Sequence, residues 1–254
     1  MNESIIRDLV ECLKGKAEER IVRDVRIGLS YTAVQLDDGS CGVAFTFREE
    51  AGEACTALQQ SGTISGRPAK EVAGWALGVD TIATAVGVAT LNALIEPPLT
   101  AVEADVRDLM QVGSDDVVGM VGYFEPLVGM ITERARTLHI FERKPMEGAG
   151  IRPDSAAPIL LPECDVVIVS GTTVVNHTID GLLGHATRAR EVVLLGPSTP
   201  LLPEVFQKRG VTLLSGIQVV DGDQLLRVVS EGGGTRRFGR AVRKLCVRLS
   251  AETS

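Results

Sequence analysis

The chain has 254 residues, 44% of them hydrophobic and 23% charged, enough to bury one large core or two modest ones, which excludes a disordered or fibrous protein. A formal charge of −7 and the lack of a broad basic stripe argue against a nucleic-acid partner. No uncharged apolar run is long enough to span a bilayer and the first residues lack the order of a signal peptide, so a cytoplasmic protein with no membrane partner is expected.

Ile5, Ile6, Leu9, Val10 and Leu13 recur at helical spacing, so the chain opens with an amphipathic helix. Val25, Ile27, Leu29 and Tyr31 then alternate with Arg26, Gly28, Ser30 and Thr32, the mark of a half-buried strand. The turn residues Asp37, Asp38, Gly39 and Ser40 separate it from a second strand over 41–47. Pro68 suits the first turn of a helix running to about Leu77, and Asp80 can cap another that ends near Ile95, stopped by Glu96, Pro97 and Pro98. Helix, hairpin, helices is an α+β order, which predicts a first domain over 1–97.

After a short helical stretch near 102–110 the pattern changes. Apolar strand candidates at 117–121, 138–141, 166–169, 192–195 and 211–214 are separated by segments long enough for crossovers, as a parallel sheet covered on both faces requires. The fold class is therefore α/β, with a Rossmann-like second domain over 98–254. The basic cluster over 236–248 reads as the solvated face of a helix-like segment, and Gly232, Gly233 and Gly234 as a flexible connector. The cysteines Cys12, Cys41, Cys55, Cys164 and Cys246 stand far apart and read as reduced and mostly buried.

Ligands of open parallel sheets sit outside the carboxyl ends of the strands, which directs attention to three loops. The first carries Gly122, Tyr123, Phe124, Glu125 and Pro126. Gly122 allows a tight turn beneath a ligand, while Glu125 places a carboxylate where a pyrophosphate would otherwise meet the helix N-terminus, or simply caps that helix. The second holds Ser170, Gly171, Thr172, Thr173, Asn176, His177, Thr178 and Asp180. Its hydroxyls and amides could cradle an anionic group, and His177 could ligate a metal; the same residues could equally serve as helix caps. The third, Gly196, Pro197, Ser198, Thr199 and Pro200, is rigid and suits a binding wall or a plain turn. Arg48, Glu49 and Glu50 could reach the same cleft or form a solvated loop, His139 reads as a core histidine and His185 stands alone. There is no P-loop, zinc signature or Gly-x-Ser-x-Gly elbow, and no nucleophile or general base stands out.

In these motifs the chain resembles the heavy-metal-chelation family of prokaryotic proteins. The resemblance rests on 27–31 with 39–44, on Leu91, Asn92, Ala93 and Leu94, and on 121–126, 171–178 and 196–200, and so covers almost the whole chain. It implies an enolase-N-terminal-like first domain joined to a Rossmann-like second, with the site where they meet. In this reading the cleft binds, and could help make or modify, a polar metal-chelating or metal-bound small molecule. Gly122, Tyr123, Phe124, Glu125, Glu142, Gly171, Thr172, Thr173, Asn176, Gly196, Ser198 and Thr199 would line it. A divalent heavy metal or metal chelate is the candidate cofactor, with Glu125, His177 and Asp180 as metal ligands. A rival reading takes Glu142, 20 residues beyond Gly122, as a ribose-binding acid for a dinucleotide or a sulfonium methyl donor. A third is a non-catalytic metabolite sensor. A homodimer is compatible with such a fold, although no helical stripe marks an interface.

Overall fold

The computed structural model describes residues 4–52, 56–144, 148 and 150–249. Helix α1 (Ile5–Glu18) buries Ile5, Ile6, Leu9, Leu13 and Ala17 along one face, as its spacing predicts. Strands β1 (Val22–Ile27), β2 (Tyr31–Leu36) and β3 (Cys41–Phe45) follow as an antiparallel meander. The single strand expected through Tyr31 is two strands. Gly28 donates its N–H to the Tyr31 carbonyl at 2.9 Å and the chain reverses there. The small residues of this turn keep the alternation in phase, so the period of two runs across it unbroken. The second turn is as expected, with the Asp38 carboxylate accepting from the Ser40 amide at 2.9 Å.

Helix α2 (Ala69–Gly74) starts directly after Pro68, and α3 (Thr81–Leu94) is capped by Asp80, whose carboxylate accepts from the amides of Ile82 at 2.9 Å and Ala83 at 3.1 Å. The nearly all-apolar α3 is buried all round against the meander. The stretch expected to be helical over 102–110 divides into β4 (Val102–Glu103) and the one-turn α4 (Val106–Leu109), because Asp105 caps the helix by accepting from the Arg107 amide.

The second half runs β5 (Val117–Val121), α5 (Glu125–Arg134), β6 (Thr137–Glu142), β7 (Ile151–Pro153), α6 (Ala157–Leu160), β8 (Val166–Ser170), α7 (Thr172–Val175), α8 (Ile179–His185), β9 (Glu191–Leu195), α9 (Pro203–Phe206), β10 (Leu213–Val219), α10 (Gly222–Ser230), α11 (Thr235–Phe238) and β11 (Val242–Arg248). These strands and β4 form one eight-stranded sheet in the order β4-β11-β10-β9-β8-β5-β6-β7, in which the six strands from β10 to β7 are parallel. The five expected parallel strands are present; β10 begins and ends later than expected, and β7 joins them. The basic segment over 236–248 is corrected: only its start is helical, and β11 pairs antiparallel with β10 from Val242 to Arg248. Its alternation is masked because Leu245, Cys246 and Val247 are buried in succession.

Helix α10 packs on the face of the meander opposite α3. This is why all six residues of β2 are buried and why Leu225 and Val229 share a cluster with Tyr31, Ala33 and Val43. A larger cluster joins Ile5, Leu9 and Val86 of the first half to Val169, Leu194 and Phe206 of the second. Among the described residues, no helix is long and apolar enough to cross a membrane.

Candidate functional site

The connections of the parallel sheet leave in opposite directions on either side of the β5–β8 pair: β6 and β7 lie beyond β5, while β9 and β10 lie beyond β8. Helices that depart to opposite faces at such a point open a crevice at the carboxyl ends of the two strands. The sequence folds this way locally because a glycine ends three of the strands. The N–H of Gly122 donates to the Phe141 carbonyl at 3.0 Å, that of Gly171 to Leu195 at 2.8 Å and that of Gly196 to Ser215 at 2.9 Å, so each extends the ladder by one rung before the chain turns away. Gly122 turns at φ +93°, a backbone that other residues seldom adopt, and a Cβ there would lie 3.1 Å from the Ser170 Cβ, so the first and second loops touch across the crevice.

Ser170 is the polar hub of the floor. Its Oγ accepts from the Thr172 hydroxyl at 2.9 Å and from the Thr172 amide at 3.3 Å, while the Thr173 hydroxyl donates to the Ser170 carbonyl at 2.6 Å. The Tyr123 amide donates to the Glu142 carboxylate, which brings the first loop against the end of β6 and leaves the Tyr123 side chain partly exposed. The first half roofs this floor. The Phe45 amide, on the free edge of β3, donates to Ser198 Oγ at 2.8 Å. Beyond it Phe45 and Phe47 meet edge to face with centroids 5.1 Å apart, and the Arg143 guanidinium lies 5.3 Å over the Phe47 ring. Glu50 pairs with Arg143 at 2.7 Å and Glu49 with Lys144, so Glu49 and Glu50 reach the loop after β6, while Arg48 turns back to the Leu29 carbonyl. Ser198 and Thr199 are buried, and Thr199 Oγ1 has no hydrogen-bond partner among the described residues.

The remaining candidates are engaged elsewhere. Glu125 forms an exposed ion pair with Arg236 at 2.8 Å. Asn176 Oδ1 accepts from the Thr178 hydroxyl at 2.7 Å and amide at 3.3 Å, a local turn at the start of α8. His177, at φ +60°, bonds through Nε2 to the Ala76 carbonyl at 2.9 Å. Asp180 accepts from the Ile5 amide at 3.0 Å and pairs with Arg209 at 3.0 Å, fastening α1 to α8. Among the described residues no three His, Cys, Asp or Glu side chains gather as a metal site would require, so Glu125, His177 and Asp180 are not brought together. The thiols do not supply an alternative. Burial pushes Cys41 up to about 12 and Cys164 up to about 11, Cys246 is buried and Cys12 is exposed on α1. Cys55 lies outside the described residues. His139 is part of β6, half-buried, with burial and then Arg152 holding it below the usual imidazole range, as a core histidine would be.

Sequence reasoning passed over Phe47 and Arg143, and took Ser170 only as one hydroxyl of its loop and Asn92 only as part of a motif. Asn92 had a signal, being the only amide in the otherwise apolar α3. Its Nδ2 donates to the carbonyls of Val43 at 2.9 Å and Ser198 at 3.3 Å, tying the roof to the third loop. Ser170 stood in view within its hydroxyl cluster; Phe47 and Arg143 meet only through tertiary contact.

The chain is similar over 96% of its length to the whole of a crystal structure from Pyrococcus horikoshii, a DUF364 protein of unknown function, at 26% identity and a TM-score of 0.84. A DUF364 structure from Desulfitobacterium hafniense, at 24% identity, a TM-score of 0.76 and coverage of 95% of this chain and 98% of that one, shares the fold. An uncharacterised protein of Methanocaldococcus jannaschii is 29% identical over 257 residues, 97% of each chain. Two family models match, DUF4213 over residues 10–95 and DUF364 over residues 105–248, and both carry the description "Putative heavy-metal chelation". The larger match spans more than half of the chain and takes in all three loops of the crevice: the chain belongs to the DUF364 family.

Proposed function

We propose that the crevice between the β5 and β8 loops, roofed by the end of β3, binds a polar small molecule that carries or chelates a heavy metal, the metal being held by the small molecule rather than by the protein. The observation that carries this reading is the meeting of Gly122 and the Ser170–Thr172 hydroxyl pair at the point where the sheet order reverses. The family description supports the metal, and the described donors argue against direct ligation because none converge. The protein's part is to orient the ligand: backbone amides and hydroxyls at the strand ends meet its oxygens, and Tyr123 covers it from the open side. In this reading residues 98–254 act as a Rossmann-like unit and residues 1–97 as an enolase-N-terminal-like cover.

One observation favours a second reading. Glu142 stands at the end of β6 with its carboxylate turned to the Tyr123 amide, the place from which an acid meets the ribose of a nucleotide in related sheets. A single preparation separates the two. Protein purified without a metal-affinity tag is measured by native and elemental mass spectrometry, alongside Tyr123→Ala and Thr172→Val variants. The chelate reading expects metal and an organic mass retained together and lost together in both variants. A metal-free, nucleotide-sized mass that is lost in Glu142→Ala overturns it.

A further inference from the structure

The two sheets have outer strands β1, β3, β4 and β7, and among the described residues all but β1 have a closed or short edge. The edge of β3 is engaged by Ser198 through the Phe45 amide, β4 has two residues, and β7 has three and ends in Pro153. The start of β1 is covered, since Val22 donates to the Arg67 carbonyl at 2.9 Å and accepts from the Gly66 amide at 2.8 Å, and its end turns away at Gly28. Residues 23–27 lie between these stops, with Val25 at their midpoint. Because Gly28 bonds to Tyr31 across the turn, Asp24 and Arg26 bond toward β2, while Val25 and Ile27 hold their N–H and C=O groups away from it. No hydrogen bond from a described residue meets those outward groups.

The side chains along this edge complement the same strand run backwards. With a second copy antiparallel and Val25 opposite Val25, Asp24 of each copy falls opposite Arg26 of the other, at positions where the side chains of an antiparallel pair stand closest. Within one chain Asp24 and Arg26 bond to each other at 2.8 Å, an exposed pair that contributes little. The open cleft of 340 Å³ that they line with Leu226 and Arg227 of α10 leaves both room to turn outward. Ile21 and Leu29 are 48% and 62% exposed and flank Val25 at equal spacing, so the register that matches the charges also brings these apolar side chains toward each other.

We propose that two copies of this chain pair through the open edge of β1, antiparallel about Val25, and join their meanders into one continuous sheet. The interface is the same patch on both copies and does not depend on what the crevice binds. A strand pair this short covers less than the roughly 1,200 Å² of stable complexes, so the dimer exchanges with the monomer and grows with concentration.

Sedimentation equilibrium of the full chain, from micromolar to millimolar concentration, is expected to show a monomer-dimer equilibrium. Asp24→Arg and Arg26→Asp each place like charges opposite one another and should weaken the dimer about tenfold. An equal mixture of the two variants should recover the wild-type association, because each supplies the charge that the other lacks. Val25→Pro removes an N–H that β2 does not use, so it should leave the circular dichroism unchanged and the chain monomeric. A wild-type monomer throughout the range would overturn the proposal and leave the edge to a strand of another protein. A dimer indifferent to both charge variants, a mixture no heavier than either variant alone, or a folded Val25→Pro that still dimerises would also overturn it, and the charge exchange decides even if Val25→Pro fails to fold.

Discussion

At the scale of single residues, the roof depends on Gly42. A Cβ there would lie 2.3 Å from both the Ala89 carbonyl oxygen and the Ala93 nitrogen, backbone atoms of α3 that cannot swing aside. Gly42→Ala must therefore lift β3 from α3, and a loss of about 3 kcal/mol is expected from urea denaturation, with the Phe45–Ser198 bond disturbed as well. Asp180 offers a contrasting case. Removing its charge leaves the Ile5 amide a weaker, neutral acceptor and takes one carboxylate from Arg209, which keeps Asp8 at 2.8 Å. Asp180→Asn should cost about 1 to 2 kcal/mol in the same measurement and leave retained metal unchanged; loss of metal with unchanged stability would restore Asp180 as a ligand. The thiols give a third check. With Cys41 near 12, only about one thiol in ten thousand is ionised at pH 8, so iodoacetamide should label exposed Cys12 well before Cys41, and raising the pH to 10 should speed both. These residues also show what sequence can carry. The hydroxyl and glycine loops were legible because glycine and clustered hydroxyls announce a turn at a strand end. The partners of His177 and Asp180 were not, because His177 answers to Ala76 and Asp180 to Ile5, residues far away in sequence.

At the scale of elements, the parallel strands were legible because strands covered on both faces must be short and apolar, and β5 matches its expected bounds throughout. The edge was not. β4, β7 and β11 are short or carry charge toward solvent, and their patterns resemble loops or a basic helix. Strand β11 is held in place by a buried acid that composition cannot reveal. Glu191, on β9, accepts through its two carboxylate oxygens from Arg248 Nη1 at 2.9 and 2.8 Å and from the Thr212 hydroxyl at 3.0 Å, with its side chain only 5% exposed. Glu191→Gln leaves the Arg248 charge facing a neutral amide and should cost about 3 kcal/mol. Because the bond joins β9 to the end of β11, hydrogen exchange should rise first at Leu245 to Val247, and equal exchange across β10 and β11 would show that the pair does not hold that edge.

At the scale of the whole molecule, the question is whether the two halves unfold together. The largest buried cluster runs from Ile5 and Leu9 through Val86 to Val169, Leu194 and Phe206, while α10 of the second half covers the meander of the first. Cutting the chain near residue 98 would bare both surfaces, and at roughly 25 cal/mol for each Å² of apolar area the loss would exceed the few kcal/mol by which domains are stable. The polar links point the same way, since Phe45 to Ser198, Asn92 to Ser198, His177 to Ala76 and Asp180 to Ile5 all cross between the halves. The exposed pairs of Glu49 and Glu50 with Lys144 and Arg143 add little, because water and salt screen them. Calorimetry should therefore show one transition, with calorimetric and van't Hoff enthalpies in agreement, and 0.5 M salt should shift it only slightly. Two resolved transitions would mean that the halves hold themselves together separately, and that the roof can leave the crevice without the sheet unfolding.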